Sequence, residues 1–460
     1  MKSATRAVLA VGAVTLVAAV LRLDGLSDPP RKVFDEVYYA SDGCLYAGYP
    51  FRRCDLEVDS ERSWVHPPLG KHLIALGIDA FGNRALGWRL SSAASGTAVV
   101  ALVGVLAFLL FGSALWSGAA ALLAATEHLQ FVQSRIAMLD VFVALFVVLG
   151  FVLLVADRRR ADRILAERTE VPGDEDDHER FARVGGWRPL RLVAGAAFGA
   201  ATAVKWSGGL ALVGAVFLAL AGERTRRKGA GLNRPLTRTL VDEGPGLALA
   251  LLLTPFLIYT ATWIPWLADR GFNLLEWVGH QGSMADYHLG LDTTKESGEP
   301  IHPYMSRAWT WFLLTRPVAY FWQGDPECCS HILGIGNQLL FWGALVLLPY
   351  LAVSWIAKRD WRAGTILVPV LAQYVPWLFV SRPLFLFYMT PVTPFLAVGM
   401  TYLLRDLAAL RLPERRYAVP AALIVVAVGV GLFAFFWPVL TGDRITYEAW
   451  RQRMWFGGWI

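Results

Sequence analysis

Charge is scarce in this 460-residue chain: Asp, Glu, Lys and Arg make up only 17% of it, against 55% hydrophobic residues and a mean hydropathy of +0.44. That balance excludes an ordinary soluble enzyme. The charges fall in clusters, and between them run apolar segments of roughly 17–25 residues, long enough to cross a hydrocarbon core of about 30 Å as helices. Lysine is rarer still, with seven in the whole chain, so arginine carries most of the net charge of +6. The basic residues sit in short loops between apolar runs, where they set membrane topology, and a nucleic-acid partner is not implied. Abundant arginine and alanine fit a GC-rich bacterial genome. A cleavage pattern of small residues is also missing after the first apolar run at 7–21, so that run reads as a retained span and not as a signal peptide.

Cysteine is limited to Cys44, Cys54, Cys328 and Cys329. Neither pair has zinc-ligand spacing with a neighbouring partner pair, so no metal is expected. Four cysteines allow three pairings, and Cys44 with Cys54, closing a short loop, is the favoured one.

Hydropathy predicts an all-α polytopic membrane protein with about eleven spans. They fall near 7–23, 86–110, 114–130, 136–156, 190–204, 206–222, 245–266, 335–356, 364–380, 384–404 and 417–440. The arginine-rich segments, including Arg158-Arg159-Arg160 and Arg415-Arg416, all fall on one side if the N-terminus is cytoplasmic. The positive-inside rule therefore puts the N-terminus in and the C-terminus out. The mixed-charge stretch 157–189, with Asp174, Glu175, Asp176 and Asp177, reads as a solvated cytoplasmic loop. The outer loops 24–85 and 267–334 are long and rich in Trp, Tyr, His and Pro, which argues against disorder. Segments 37–47 and 69–81 alternate polar and apolar faces at helical spacing, as interfacial helices do. There is no repeat and no soluble domain, so 1–460 reads as one membrane unit.

The residues able to do chemistry collect on the outer side. Phe34-Asp35-Glu36 places two carboxylates about a dozen residues after the first span. Adjacent carboxylates near a bilayer are costly to desolvate, and one of them can take the proton of an attacking hydroxyl. The alternative is a helix N-terminus, where acidic residues favour the dipole. In His66-Pro67-Pro68-Leu69-Gly70-Lys71 the double proline stiffens the entry to a helix and fixes how His66 is presented, either as a ligand or as a cap. Arg89, Arg135, Lys205 and Arg382 recur in short outer turns, where positive-inside pressure disfavours them. Singly each reads as a snorkelling anchor; together they suit a clamp on a lipid phosphate. Asp140 enters the fourth span and needs a partner, Arg135 or another of these cations. His302-Pro303-Tyr304 leads to Trp309-Thr310-Trp311, aromatic residues that suit either an interface or sugar binding.

In this order, these segments resemble the protein O-mannosyltransferase family. The likeness rests on Asp35-Glu36, the His66 to Lys71 run, Ser134-Arg135 with Leu139-Asp140, Val204-Lys205-Trp206-Ser207-Gly208, the segment from His302 and Tyr304 through Trp309 and Trp311, and Phe387-Tyr388-Met389 with Pro394-Phe395. It covers nearly the whole chain. The resemblance implies a GT-C fold, with the site under the outer loops. It also implies inverting transfer of mannose from polyprenyl-phosphate mannose to Ser or Thr of secreted proteins, with Asp35 as base and Glu36 positioning the acceptor or the site. His66, Lys71, Arg89, Arg135, Asp140, Lys205, His302, Tyr304, Trp309 and Arg382 are the expected substrate-binding residues. Eukaryotic members carry an added MIR domain in the second long outer loop; here that loop is too short, which points to the bacterial branch and its plasma membrane.

Such a donor loses a stable phosphate anion, so its departure needs charge stabilisation and no general acid, unlike glycoside hydrolysis. One carboxylate with fixed cations suffices, and no cofactor is expected. Membrane lipids and the secretion translocon are the further partners expected. Two other readings stay open: a GT-C enzyme using another lipid-linked sugar or acceptor, and a transporter or flippase. The second would place ionisable residues and broken helices near mid-membrane in paired halves, which are not seen.

Overall fold

A backbone segment in hydrocarbon must satisfy its N–H and C=O groups internally, so the apolar runs of this chain fold as helices. The computed structural model describes residues 2–55, 64–169, 188–295, 297–410 and 415–460. The acidic stretch 174–177 lies outside the described residues, as does part of the first long loop.

The chain begins with α1 (Lys2–Leu23), followed by α2 (Glu36–Tyr46) and α3 (Leu69–Phe81) from the first long loop, then α4 (Ala85–Phe111). The short α5 (Ala114–Ala125) and α6 (His128–Gln133) lead to α7 (Asp140–Thr169). Next come α8 (Pro189–Val204) and α9 (Gly208–Gly229), joined through Lys205, then α10 (Pro235–Asp242) and α11 (Gly244–Ala261). The short α12 (Ile264–Ala268) leads into the second long loop, which contains α13 (Leu274–Leu289), β1 (Val318–Gly324) and β2 (Cys328–Gly334). The chain ends with α14 (Gln338–Ile356), α15 (Trp361–Tyr374), α16 (Thr393–Ala408), α17 (Ala418–Thr441), β3 (Ile445–Thr446) and α18 (Tyr447–Arg451).

Each of the eleven expected spans contains a helix. Seven of these, α1, α4, α7, α9, α11, α14 and α17, are long and apolar enough to cross a membrane. The other four, α5, α8, α15 and α16, have 12 to 16 residues. At 1.5 Å per residue they reach about 18–24 Å, short of a full hydrocarbon thickness. The chain is a multi-pass membrane protein.

The expectation of helices alone missed a small antiparallel sheet of order β1-β2-β3. Its hairpin turns at Asp325, whose carboxylate accepts from the backbone N–H groups of Glu327 and Cys328 at 3.0 and 2.9 Å. Interfacial aromatics and strand alternation look alike here: the segment from Val318 through Tyr320 to Trp322 satisfies both patterns. Cys328 and Cys329 lie on β2 as free thiols, and Cys44 is bonded to Cys54.

Segments 37–47 and 69–81 are helical as expected, but α2 is no surface helix. Eight of its eleven residues are buried, so it works as an internal support between α3 and the rest of the bundle. The α3–α4 contact is close because glycines face each other: a Cβ on Gly77 would collide with the Gly87 carbonyl oxygen. Above this end of the bundle, Trp263, Leu267 and Met284 form a separate apolar cluster with Trp64, Trp206 and Trp277. That cluster fastens α12 and α13 over the turn at Lys205.

Candidate active site

Asp35 stands at the N-terminus of α2, yet its side chain makes no capping hydrogen bond. It lines a cavity of about 550 Å³ together with His66, Lys205, His288, His302 and Arg382, walled by Phe385, Phe387 and Tyr388. The residue before it, Phe34, has φ 47°, a left-handed conformation that a bulky side chain rarely adopts. Such strain costs roughly 1–3 kcal/mol and persists where the surroundings impose it. Here the Phe34 ring is held edge-on by Tyr320 at 5.1 Å and by Phe387 and His302 at 5.9 Å. The helix-dipole reading thus accounts for where Asp35 sits but not for what its carboxylate faces.

Burial pushes the Asp35 carboxyl up to about 6; the Lys205 ammonium opposes the rise, nearby Asp140 adds to it, and a hydrogen bond from Tyr39 holds it back. Lys205 joins α8 to α9 and is buried. Its Nζ lies 3.0 and 3.2 Å from the two carboxylate oxygens of Asp140, at the start of α7, and 4.5 Å from the centre of the Tyr388 ring. The partner expected for Asp140 is therefore Lys205 and not Arg135.

Arg382 donates to His288 Nδ1 at 2.9 Å and to the Tyr388 hydroxyl at 3.3 Å, while its Nε is buried without a hydrogen-bond partner. His288 Nε2 lies 2.7 Å from the Val65 carbonyl oxygen. An arginine only donates and a carbonyl only accepts, so His288 is the neutral tautomer with its proton on Nε2. Burial, then the Arg382 charge, lower His288 to about 4. His66 stacks on His288 with ring centres 5.1 Å apart, and burial followed by the Lys205 charge holds it well below the usual histidine range. Both rings are neutral at pH 7, so the site's fixed positive charges are Lys205 and Arg382.

Other expected site residues are placed differently. Glu36 and Arg89 are fully buried and face each other away from the cavity. The Glu36 carboxylate accepts from Arg89 Nε and NH2, both at 2.8 Å, from the Val33 N–H at 2.9 Å and from the Ala137 N–H at 2.8 Å. Arg89 also donates to the carbonyls of Leu26, Pro29 and Arg31. With these partners Arg89 is a structural clasp, a correction to its reading as a phosphate ligand. Arg135 likewise donates to the carbonyls of Leu21, Arg22 and Asp24, capping the end of α1 where the helix leaves acceptors free. Lys71 pairs with Asp42 at 2.9 Å, both side chains buried, and only Asp42 lines the cavity. His302 lines it edge-on to Phe385 at 5.0 Å, whereas Tyr304 turns to a separate cavity with Arg316 and Trp459. Trp309 is 61% exposed and stands outside the site.

The sequence reading missed His288, which belongs to no recognised run of residues. It also missed the part played by Tyr388, although Phe387-Tyr388-Met389 had been singled out. Among the described residues no three of His, Cys, Asp and Glu are grouped as a metal site would need.

Two family models match this chain. One, described as dolichyl-phosphate-mannose-protein mannosyltransferase, covers residues 12–228; the other, described as the C-terminal four TMM region of protein-O-mannosyltransferase, covers 274–459. The polyprenol-phosphate-mannose–protein mannosyltransferase of Mycobacterium tuberculosis is 32% identical over 98% of this chain and 91% of its own length. Its namesake from Mycolicibacterium smegmatis is 30% identical over 97% and 92%. The solved S. cerevisiae protein O-mannosyltransferase Pmt1-Pmt2 complex, bound to the sugar donor, matches with a TM-score of 0.76 at 13% identity, covering 99% of this chain and 92% of that one. That last likeness is one of fold.

The clasp and the cavity cations should respond differently to truncation. Arg89→Ala leaves Glu36 buried without its counter-charge, a change that costs about 3–5 kcal/mol. Thermal unfolding of the purified protein should show a large loss for Arg89→Ala and a small one, within about 1 kcal/mol, for Arg382→Ala, which borders open space. Equal losses would remove the distinction.

Proposed function

Because the chain belongs to the protein O-mannosyltransferase family, we propose that it transfers mannose from polyprenyl-phosphate mannose to Ser or Thr hydroxyls of secreted proteins, with inversion at the anomeric carbon. The observation that carries this reading is Asp35: a carboxylate free of capping duty, in a cavity that also holds Lys205 and Arg382. In the reaction the acceptor oxygen attacks the anomeric carbon, the bond from that carbon to the phosphate oxygen breaks, and polyprenyl phosphate leaves. Asp35 takes the hydroxyl proton. Lys205 and Arg382 face the phosphate, and the partnerless Arg382 Nε is a ready donor for one of its oxygens. His288 orients Arg382 from behind. Glu36 holds the turn that presents Asp35 and acts by positioning. His66 and His302, with the aromatic wall, border the sugar and acceptor.

The same reading makes loop 24–85 the catalytic segment and loop 267–334 the substrate-binding one, within a single GT-C unit. The arginine-rich loops support a cytoplasmic N-terminus and an extracytoplasmic site and C-terminus in a bacterial plasma membrane. Acceptors would reach that face from the secretion translocon.

Membranes containing this chain should mannosylate a Ser/Thr peptide from polyprenyl-phosphate mannose. Transfer of a different sugar, or to a lipid only, would favour the other GT-C reading. Asp35→Asn cannot accept a proton and should lower turnover by at least about 10²-fold while the protein stays folded; wild-type-like turnover in the purified variant removes the base. Since the base must be ionised, kcat/KM should fall as pH drops through about 6 and level off above it. A flat profile between pH 5 and 8, measured as peptide mannosylation, would contradict this. Replacing Lys205 alone would strand Asp140, so the neutral pair Lys205→Met with Asp140→Asn is the better probe. It should impair donor use, in KM or kcat, and leave acceptor KM near wild type; unchanged donor kinetics would make Lys205 an anchor only.

A further inference from the structure

Helix α7 has ionisable side chains at two levels. Asp140 faces the site; Asp157, seventeen residues on, lies roughly 25 Å away at 1.5 Å per residue, close to one hydrocarbon thickness. Around Asp157 a second cavity of about 270 Å³ opens between α7, α8, α9 and the α14–α15 turn. Seven basic side chains line it against two carboxylates, Asp157 and Glu223, which leaves its surface positive.

Part of that charge is locked into the fold. Arg188 and Arg191 are buried and bonded to Asp157 and Glu223 at 2.6–3.4 Å, and Arg191 also reaches Glu243 at 2.8 Å. Arg226 is held as well, 3.0 Å from Asp162 and 3.1 Å from Glu223. The other four are held less firmly or not at all. Arg224, Lys228 and Arg359 sit exposed at the rim and form no ion pair among the described residues. Arg158 lies 4.3 Å over the Trp361 ring with its Nε buried and without a hydrogen-bond partner, and its nearest carboxylate, Asp162, is 3.9 Å off. Below this charged rim the lining is apolar, formed by Phe151, Leu154, Val155 and Leu218 toward the middle of the spans. Next to it Phe217, 51% exposed, packs edge-on to Trp355.

We propose that this cavity binds the phosphate of an anionic membrane-lipid headgroup, with the acyl chains running down the apolar side toward Phe217. Three features point to a lipid. The cavity sits at headgroup depth, at the far end of the membrane-spanning helices from the catalytic cavity. Its floor is apolar. Trp355 and Trp361 are amphipathic rings of the kind that settle at an interface. Basic pockets between transmembrane helices recognise phosphate headgroups by the same chemistry.

Native mass spectrometry of the full chain, released from nanodiscs of phosphatidylglycerol and phosphatidylcholine, tests it. The wild type should retain phosphatidylglycerol selectively, and the rim variant Arg224→Gln/Lys228→Gln/Arg359→Gln should lose that selectivity by about tenfold. A control variant, Arg159→Gln/Arg160→Gln/Arg163→Gln, removes the same charge from the outside of α7 and should keep it. Equal loss in both variants would show only general attraction of anionic lipid to a basic surface and overturn the proposal, as would no loss in the rim variant. Displacement of the retained lipid by millimolar glycerol 3-phosphate would assign the cavity to a soluble phosphate ligand and also overturn it. Peptide mannosylation by the rim variant reports separately on whether the catalytic end is intact.

Discussion

The carboxylate of Glu36 is the fixed point on which the Asp35 end of the bundle depends. It accepts four hydrogen bonds from three separate stretches of chain: the turn at Val33, Arg89 on α4, and the loop at Ala137 that leads into α7. Burying an ion pair gains little stability by itself, because desolvation offsets much of the attraction. What this pair fixes is geometry. Asp35 is the next residue along the backbone, so any slip of Glu36 would carry the neighbouring carboxylate with it. The left-handed Phe34 belongs to the same arrangement, since the clasp on one side and the Tyr320, Phe387 and His302 rings on the other impose a turn the residue would not choose alone.

The rest of the site follows from bundle ends meeting at one level. The start of α7 brings Asp140, the α8–α9 junction brings Lys205, and the approach to α16 brings Arg382 and Tyr388. Each is tied to a neighbour: Lys205 to Asp140, Arg382 to His288, His288 to the Val65 carbonyl. Because α7, α8 and α9 are continuous rods from this level to the Asp157–Arg188–Glu223 network, the polar layers at the two ends have a set separation and the apolar middle matches a bilayer between them.

Much of this was legible in the amino-acid order. Apolar run length gave the helices, and the double proline at Pro67-Pro68 marked the entry to α3. The need of Asp140 for a cation foresaw its pairing with one of four candidates. Sequence could not say which, because position along a span gives depth but not azimuth: Arg89 and Arg135 lie at the right level yet turn toward backbone carbonyls. His288 was invisible for a related reason. Its role comes from α13 folding back over Val65, a contact across 223 residues that no local pattern announces. The β1–β2 hairpin was hidden by aromatic residues that serve an interface and a strand equally well.

The balance of charge in the cavity explains why one carboxylate can suffice on the transferase reading. Asp35 and Asp140 face Lys205 and Arg382, and the stacked His66 and His288 are neutral, so these charges nearly cancel. A carboxylate at its ordinary value is a weak acceptor for an alcohol's proton; burial has already moved Asp35 to about 6, nearer the working pH, without leaving it protonated at neutrality. An arriving phosphodiester adds a negative charge that Lys205, already shared with Asp140, only partly offsets. On the same reading that excess charge favours proton uptake by Asp35, so the base is strengthened when the donor is in place. On the transferase reading, donor binding and base strength are thereby coupled through Lys205, and its pairing with Asp140 serves the reaction as well as a structural need.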